Sequence, residues 1–134
     1  MVAAIELVSP SNKDRPATRR AFVAKMSGYL QQGMALSVID LVTIRSAHLH
    51  NEWIQWMQAT AGLMEDVERT PLYANSYRPM QRGERAEIEM WLKPLWVGDQ
   101  LPTLLLFLRA DLCIEVPLEE TYMETCADQR IAVA

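Results

Sequence analysis

Two short apolar segments flanking one amphipathic segment constrain the fold of this chain more than any other feature. Residues 3–8 are nearly all apolar, which predicts a short buried strand. Residues 17–32 carry apolar side chains at helical spacing and are followed by Gly33, which predicts a helix with a glycine C-cap. Residues 36–43 predict a second strand. Because the links are short, the three segments predict a βαβ unit with a parallel strand pair.

The rest of the chain has a different pattern. Residues 47–63 predict a second helix, and three strands are predicted at residues 73–80, 86–92 and 104–108. Pro117, followed by acidic residues, predicts a short closing helix. We therefore expect an α+β fold in which a βαβα beginning is followed by an antiparallel meander and a C-terminal helix. One domain, 1–134, would consist of a core, 1–64, and a β-rich extension, 72–134, packed on it.

Composition narrows the class of protein. With 134 residues the chain is long enough for one hydrophobic core, and its longest apolar run is far short of the roughly 20 residues of a membrane span. No basic segment opens the sequence, so we predict no signal peptide and a cytoplasmic location. Cys113 and Cys126 form no CxxC pair, and we expect both to be reduced.

Charge is distributed unevenly along the chain. Residues 1–45 carry a net charge of +3 and the remainder -7, which gives the total of -4. The first third could therefore face a polyanion such as a nucleic acid, whereas the remainder would repel one. An ordinary solvated helix face explains the same basic residues, and the negative total argues against nucleic-acid binding.

Two acidic residues interrupt segments that are otherwise apolar. Glu6 lies in the first predicted strand and Asp40 in the second, and a buried carboxylate needs a cation, a proton or a metal ion. Lys25 lies on the intervening helix beside its apolar face. The two carboxylates could hold Mg²⁺ for phosphodiester hydrolysis, with the lysine steadying the attacking water or the developing charge. Alternatively, Glu6 and Lys25 form a structural ion pair and Asp40 caps the end of a strand.

The predicted second helix contains two histidines and two tryptophans. His48 and His50 do not have the i, i+4 spacing of a zinc helix, so we expect a buried, hydrogen-bonded pair or a solvated one. Trp53 and Trp56 have the spacing of core residues. A partly exposed tryptophan at either position would instead indicate an interface.

Several of these segments together resemble a known family. The chain resembles the bacterial domain-of-unknown-function family DUF 4058 and, more distantly, the Uma-type nucleases of the PD-(D/E)XK, or restriction-endonuclease-like, superfamily. The resemblance is carried by Glu6-Leu7-Val8-Ser9-Pro10-Ser11-Asn12-Lys13, Lys25, Tyr29, Gly33, Val38-Ile39-Asp40, Arg45, Ala47, Leu49-His50-Asn51-Glu52, Tyr77-Arg78-Pro79, Val97-Gly98, Leu101-Pro102, Val116-Pro117-Leu118-Glu119 and Thr121-Tyr122.

The resemblance implies roles for single residues. Glu6 would be the metal-binding acid, and Lys25 would replace the lysine that the superfamily places where this chain has Val8. Lys13 is a second, weaker candidate for that lysine. The superfamily's other acid lies on an earlier strand, so we expect this chain to be an N-terminally truncated member.

Two functions follow from the resemblance. The chain would be a non-catalytic remnant whose open sheet edge is covered by a second copy or another partner. The alternative is a Mg²⁺-dependent nuclease completed by a missing segment or by a partner.

Overall fold

The secondary structure follows the predicted strand–helix–strand order and then a run of antiparallel strands. The computed structural model describes residues 2–109 and 111–133. Its elements, in chain order, are β1 (Ala3–Leu7), α1 (Pro16–Gln31), β2 (Ala35–Asp40), α2 (Leu49–Trp56), β3 (Leu72–Arg82), β4 (Arg85–Trp91), β5 (Pro94–Leu95), β6 (Thr103–Arg109), β7 (Leu112–Pro117) and α3 (Leu118–Asp128). The expected α+β class, with a meander and a C-terminal helix, is confirmed.

The βαβ unit forms as predicted, and its connections have clear local causes. A 3-10 turn, Pro10–Lys13, follows β1 and is closed by the Ser9 backbone N–H, which donates to Asn12 Oδ1 at 2.8 Å. Pro16 opens α1, where a missing N–H costs nothing. Gly33 ends the helical segment with a positive φ of 76°, which glycine adopts without strain. β1 and β2 then pair in parallel, with Glu6 beside Val38.

The main sheet joins both parts of the chain. Its strand order is β1-β2-β3-β4, and β5 pairs with one end of β3. β2 and β3 are antiparallel, as are β3 and β4. β6 and β7 form a separate hairpin that packs on β2 and β3. Within the predicted extension, residues 72–95 therefore continue the sheet begun by β1 and β2, whereas the β6–β7 hairpin packs on the sheet as a layer and α3 contacts β6.

Apolar side chains are buried on both faces of the sheet. One face packs against α1 and α2 through Phe22, Met26, Leu30, Trp53 and Tyr77, among others. The other face packs against the β6–β7 hairpin through Ile39, Leu72, Ala74, Leu95 and Leu104. Because β2 is covered on both sides, its residues are buried along the entire strand.

β1 is not buried on both faces, contrary to the sequence prediction. Ile5 is 47% exposed and Leu7 is 65% exposed. β1 lies at the edge of the sheet, and the hairpin that covers β2 and β3 leaves much of β1 uncovered. An apolar run of this length indicates a strand but does not show whether a second layer covers it.

Several element boundaries also differ from the predictions. α2 ends at Trp56 instead of continuing to residue 63, because Gln58 takes a positive φ of 56° that a right-handed helix cannot continue through. β2 ends at Asp40, three residues early. β5 and β7 had not been predicted. Among the described residues, no helix has both the length and the apolar character needed to cross a bilayer.

Candidate functional site

Glu6 and Lys25, the two residues first proposed for catalysis, are in direct contact. Lys25 Nζ donates to Glu6 Oε2 at 2.8 Å, and Tyr29 Oη donates to Glu6 Oε1 at 3.1 Å. Lys25 and Tyr29 lie one turn apart on α1, so both reach the same carboxylate on β1. The Lys25 side chain is 43% exposed and that of Glu6 is 19% exposed. Both oxygens of this carboxylate therefore have a protein donor, at a position open to solvent.

Asp40 is bound by a different lysine. Lys13 Nζ donates to Asp40 Oδ2 at 2.8 Å, and both side chains are fully buried. The Val42 backbone N–H donates to Asp40 Oδ1 at 3.0 Å, so the carboxylate also closes the turn that ends β2. Burial raises the pKa of Asp40, while the hydrogen bonds from Lys13 and Val42 and the charge of Lys13 lower it. Lys13, the weaker of the two candidates for the superfamily's lysine, is thus the buried partner of Asp40.

The two acids share one face of the sheet but do not share a cation. Glu6 lies beside Val38, and Asp40 lies two residues farther along β2 on the same face. Strand spacing puts their Cβ atoms about 8 Å apart. Each carboxylate faces its own ammonium group, and no group of three or more His, Cys, Asp or Glu side chains in the described ranges could hold a metal ion. These donors do not fit a Mg²⁺ ion, which needs several oxygen ligands around one point.

His50 belongs to a buried hydrogen-bond chain. Its Nε2 lies 2.7 Å from the Gly62 carbonyl oxygen and must donate, because that oxygen can only accept. Its Nδ1 then accepts from Tyr77 Oη at 2.8 Å, and Asn75 Nδ2 donates to the same tyrosine at 3.3 Å. Burial lowers the pKa of His50. The neutral ring therefore ties α2 to β3 and to the loop that follows α2.

His48 is the N-cap residue of α2 and retains one unused donor. Its Nδ1 accepts from the Asn51 backbone N–H at 3.3 Å, so the neutral ring carries its proton on Nε2. Nε2 is buried and has no hydrogen-bond partner in the part of the chain that the structure describes. The ring packs on Tyr73 at 4.7 Å between centroids. Burial lowers the pKa of His48 to about 4, with a further contribution from the charges of His50 and Lys13.

The next residues of the same segment also hold structure together. Asn51 clamps the loop after α2, because its Nδ2 donates to the Met64 carbonyl oxygen and its Oδ1 accepts from the Met64 N–H, both at 2.9 Å. Trp53 is fully buried, and its Nε1 donates to Ser27 Oγ on α1 at 3.1 Å. Trp56 is 52% exposed at the end of α2. Most polar groups of this segment are therefore used inside the fold.

Most basic residues of the first third are paired with acids. Lys13 and Lys25 are described above, Arg45 Nε lies 2.9 Å from Asp14 Oδ1, and Arg19 Nε lies 2.8 Å from Glu52 Oε1. The net charge of +3 in residues 1–45 is therefore not a continuous row of unpaired cations.

Sequence reasoning overlooked Tyr29 as a partner of Glu6. No contact is predicted for Tyr29, which is named only among the residues of the family resemblance, yet its hydroxyl reaches the carboxylate. Its position four residues after Lys25 was the available clue, because side chains at that spacing share a helix face.

Comparisons with protein-family models, with curated protein sequences and with solved structures gave no match. The resemblance to DUF 4058 and to the Uma-type nucleases therefore stays a prediction.

Proposed function

We propose that the chain is a cytoplasmic, non-catalytic domain of the restriction-endonuclease-like type that binds another polypeptide. One observation carries the non-catalytic part of the proposal: Glu6 and Asp40 are each neutralised by a separate lysine, 2.8 Å away in both cases. A nuclease centre needs carboxylates that converge on one metal ion. The two free cysteines, Cys113 and Cys126, fit a reducing compartment.

The residues that carry the family resemblance give further support. Asn51 holds the loop at Met64, His50 links Tyr77 to the Gly62 carbonyl, and Lys13 neutralises Asp40 inside the protein. Each contact stabilises the fold without leaving a free catalytic group. A fold retained in this way, with an uncovered strand at its edge, favours a role in binding.

The binding part of the proposal is supported by the exposed apolar side chains of β1. Ile5 and Leu7 lie on an edge strand and are about half exposed or more. Exposed apolar groups on an unpaired strand edge are typical of surfaces that bind another chain.

Titration with Mn²⁺, followed by calorimetry, tests the non-catalytic part. We expect the wild type, Glu6→Gln and Glu87→Gln to give the same small heats, because none of them holds a divalent ion at β1. Glu87 is the matched control, since it is an acid on a strand that pairs with an arginine at the surface. A saturable heat in the wild type that is lost in Glu6→Gln and retained in Glu87→Gln would refute the proposal.

A Mg²⁺-dependent nuclease is the second candidate. The observation that favours it is the accessible group of Glu6, Lys25 and Tyr29, which combines an acid, a cation and a hydroxyl at the surface. This function requires at least one further acid from outside the described residues. The same titration distinguishes the two candidates.

A further inference from the structure

The two edges of the main sheet differ in how they are protected. β4 forms one edge and carries Arg85, Glu87 and Glu89 along its length. Charged side chains on an edge strand discourage pairing with another chain. β1 forms the other edge, and its sequence is Ala-Ala-Ile-Glu-Leu, with no proline and one charge. That charge, on Glu6, is turned toward α1 by Lys25 and Tyr29 and does not shield the edge.

The backbone groups of β1 alternate between its neighbour and solvent. The Val8 N–H donates to the Ile39 carbonyl oxygen on β2 at 2.9 Å. Backbone groups alternate in direction along a strand, so the even-numbered residues of this segment point theirs at β2. Ala3, Ile5 and Leu7 therefore point their N–H and C=O groups outward. In the part of the chain that the structure describes, no strand pairs with this outer edge.

We propose that the partner on this edge is a second copy of the chain, paired antiparallel to β1 about a two-fold axis at Ile5. This inference rests on the proposed binding function and names its partner. Ile5 would face Ile5 of the second copy, and the outward groups of Ala3 would meet those of Leu7. The ladder would contain about six backbone hydrogen bonds, and the sheets of both copies would become continuous.

The side chains of β1 suit this register. Leu7, the most exposed apolar side chain of the strand, would face the small Ala3, and the two Ile5 side chains would pack against each other on the same face. Glu6 would face Ala4, so the two carboxylates would not oppose each other. The strand is therefore complementary to itself in this register, so a second copy provides every matching side chain. A two-fold interface is also the commonest kind in homo-oligomers.

Light scattering over a range of concentrations tests the pairing. We expect the wild type to approach twice the chain mass of 15.3 kDa at high concentration, with weak affinity because the ladder of the 5-residue strand is short. Ile5→Pro removes an outward N–H that has no partner among the described residues, and Ile5→Lys places two charges face to face. Both variants should stay monomeric at the same concentration.

Val97→Lys is the matched control, because Val97 is highly exposed and lies far from β1 in sequence. It should dimerise like the wild type. Circular dichroism and thermal unfolding show whether each variant is folded. A wild type that stays monomeric at every concentration, or a Val97→Lys variant that loses the dimer as completely as Ile5→Lys, would overturn the inference.

Disulfide trapping tests the register itself. In a Cys113→Ser background, Ile5→Cys should form an intermolecular disulfide on mild oxidation, because residues facing each other in this ladder have Cα atoms about 5.5 Å apart. Leu7→Cys is the control on the same strand, since the two Leu7 positions would be separated by about 14 Å. Equal trapping at both positions, or stronger trapping at Leu7, would refute the register.

The outcomes also separate this inference from the proposed function. A monomeric wild type that gives no Glu6-dependent Mn²⁺ heat would refute the second copy as partner and leave the non-catalytic proposal standing. A dimeric wild type with a Glu6-dependent Mn²⁺ heat would refute the non-catalytic proposal and leave the pairing intact.

Discussion

Replacing Lys13 by methionine isolates the role of the buried ion pair. Methionine fills much of the volume of the lysine side chain but removes the ammonium group that donates to Asp40 at 2.8 Å. Asp40 would keep the hydrogen bond from the Val42 N–H and would otherwise be an unpaired charge in the interior. The variant therefore measures what it costs the fold to leave this carboxylate without its cation.

The structure sets the size of the effect. Breaking a fully buried pair by removing one partner costs about 3–5 kcal/mol in the free energy of unfolding. The pair of Lys25 and Glu6 is partly exposed, so Lys25→Met should cost only about 0–1 kcal/mol. For a chain of this length, the loss in Lys13→Met corresponds to a drop in Tm of about 11–18 °C.

The cost should also depend on pH. Burial already raises the pKa of Asp40 above its usual 3.8, and losing Lys13 raises this pKa further. A folded-state pKa above the unfolded value means that the folded protein binds the proton more tightly. The difference in stability between Lys13→Met and the wild type should therefore be largest near pH 7 and shrink as pH falls toward 4, because protonated Asp40 no longer needs a cation.

Urea denaturation of the wild type, Lys13→Met and Lys25→Met at pH 7 and pH 4.5 measures both effects. Lys25→Met is the matched control, since it makes the same substitution in the other acid–lysine pair. Equal losses in the two variants, or a Lys13→Met cost below about 1 kcal/mol, would refute the assignment of Lys13–Asp40 as the buried structural pair.

Two further predictions concern the His48 ring and the loop after α2. Because burial and the charges of His50 and Lys13 hold the pKa of His48 near 4, the wild type should lose stability as pH falls from 6.5 toward 4. His48→Asn keeps an N-cap acceptor and removes this titration. Between pH 7.5 and 4.5 its free energy of unfolding should therefore fall by up to about 3 kcal/mol less than that of the wild type in denaturation experiments. The same fall in both proteins would contradict the role of His48. Gly62→Ala should destabilise slightly more than Gly33→Ala in thermal unfolding, because both glycines have positive φ but only a Cβ at Gly62 would displace the flexible end of the Met90 side chain. Equal shifts in Tm would contradict that packing.

Local patterns were sufficient for the opening strand–helix–strand order and for naming the Glu6–Lys25 ion pair as one of two alternatives. Helical spacing placed Lys25 beside the apolar face of α1, and the structure shows its ammonium group hydrogen-bonded to Glu6. The pairing of β1 and β2 followed from the short links at both ends of α1. Both results depend on residues that are close in sequence or on one regular helix.

Long-range contacts could not be predicted in the same way. Lys13 and Asp40 are 27 residues apart, and the lysine lies in a polar turn that sequence alone would place in solvent. His50 reaches Tyr77 across the same number of residues, and α2 ends early where the backbone turns at Gln58. Each of these outcomes is fixed by how two elements pack, which periodicity does not encode.

The sequence alone determined the α+β class, the parallel βαβ beginning and the residue types gathered near one sheet. Periodicity and turn residues act over a few positions, and these features need nothing more. Only the tertiary structure decided that Glu6 and Asp40 are bound by different lysines, that both histidines are buried and that β1 is an exposed edge. Those facts depend on which distant surfaces cover each side chain, because burial sets both the cost of a charge and the partner that must offset it.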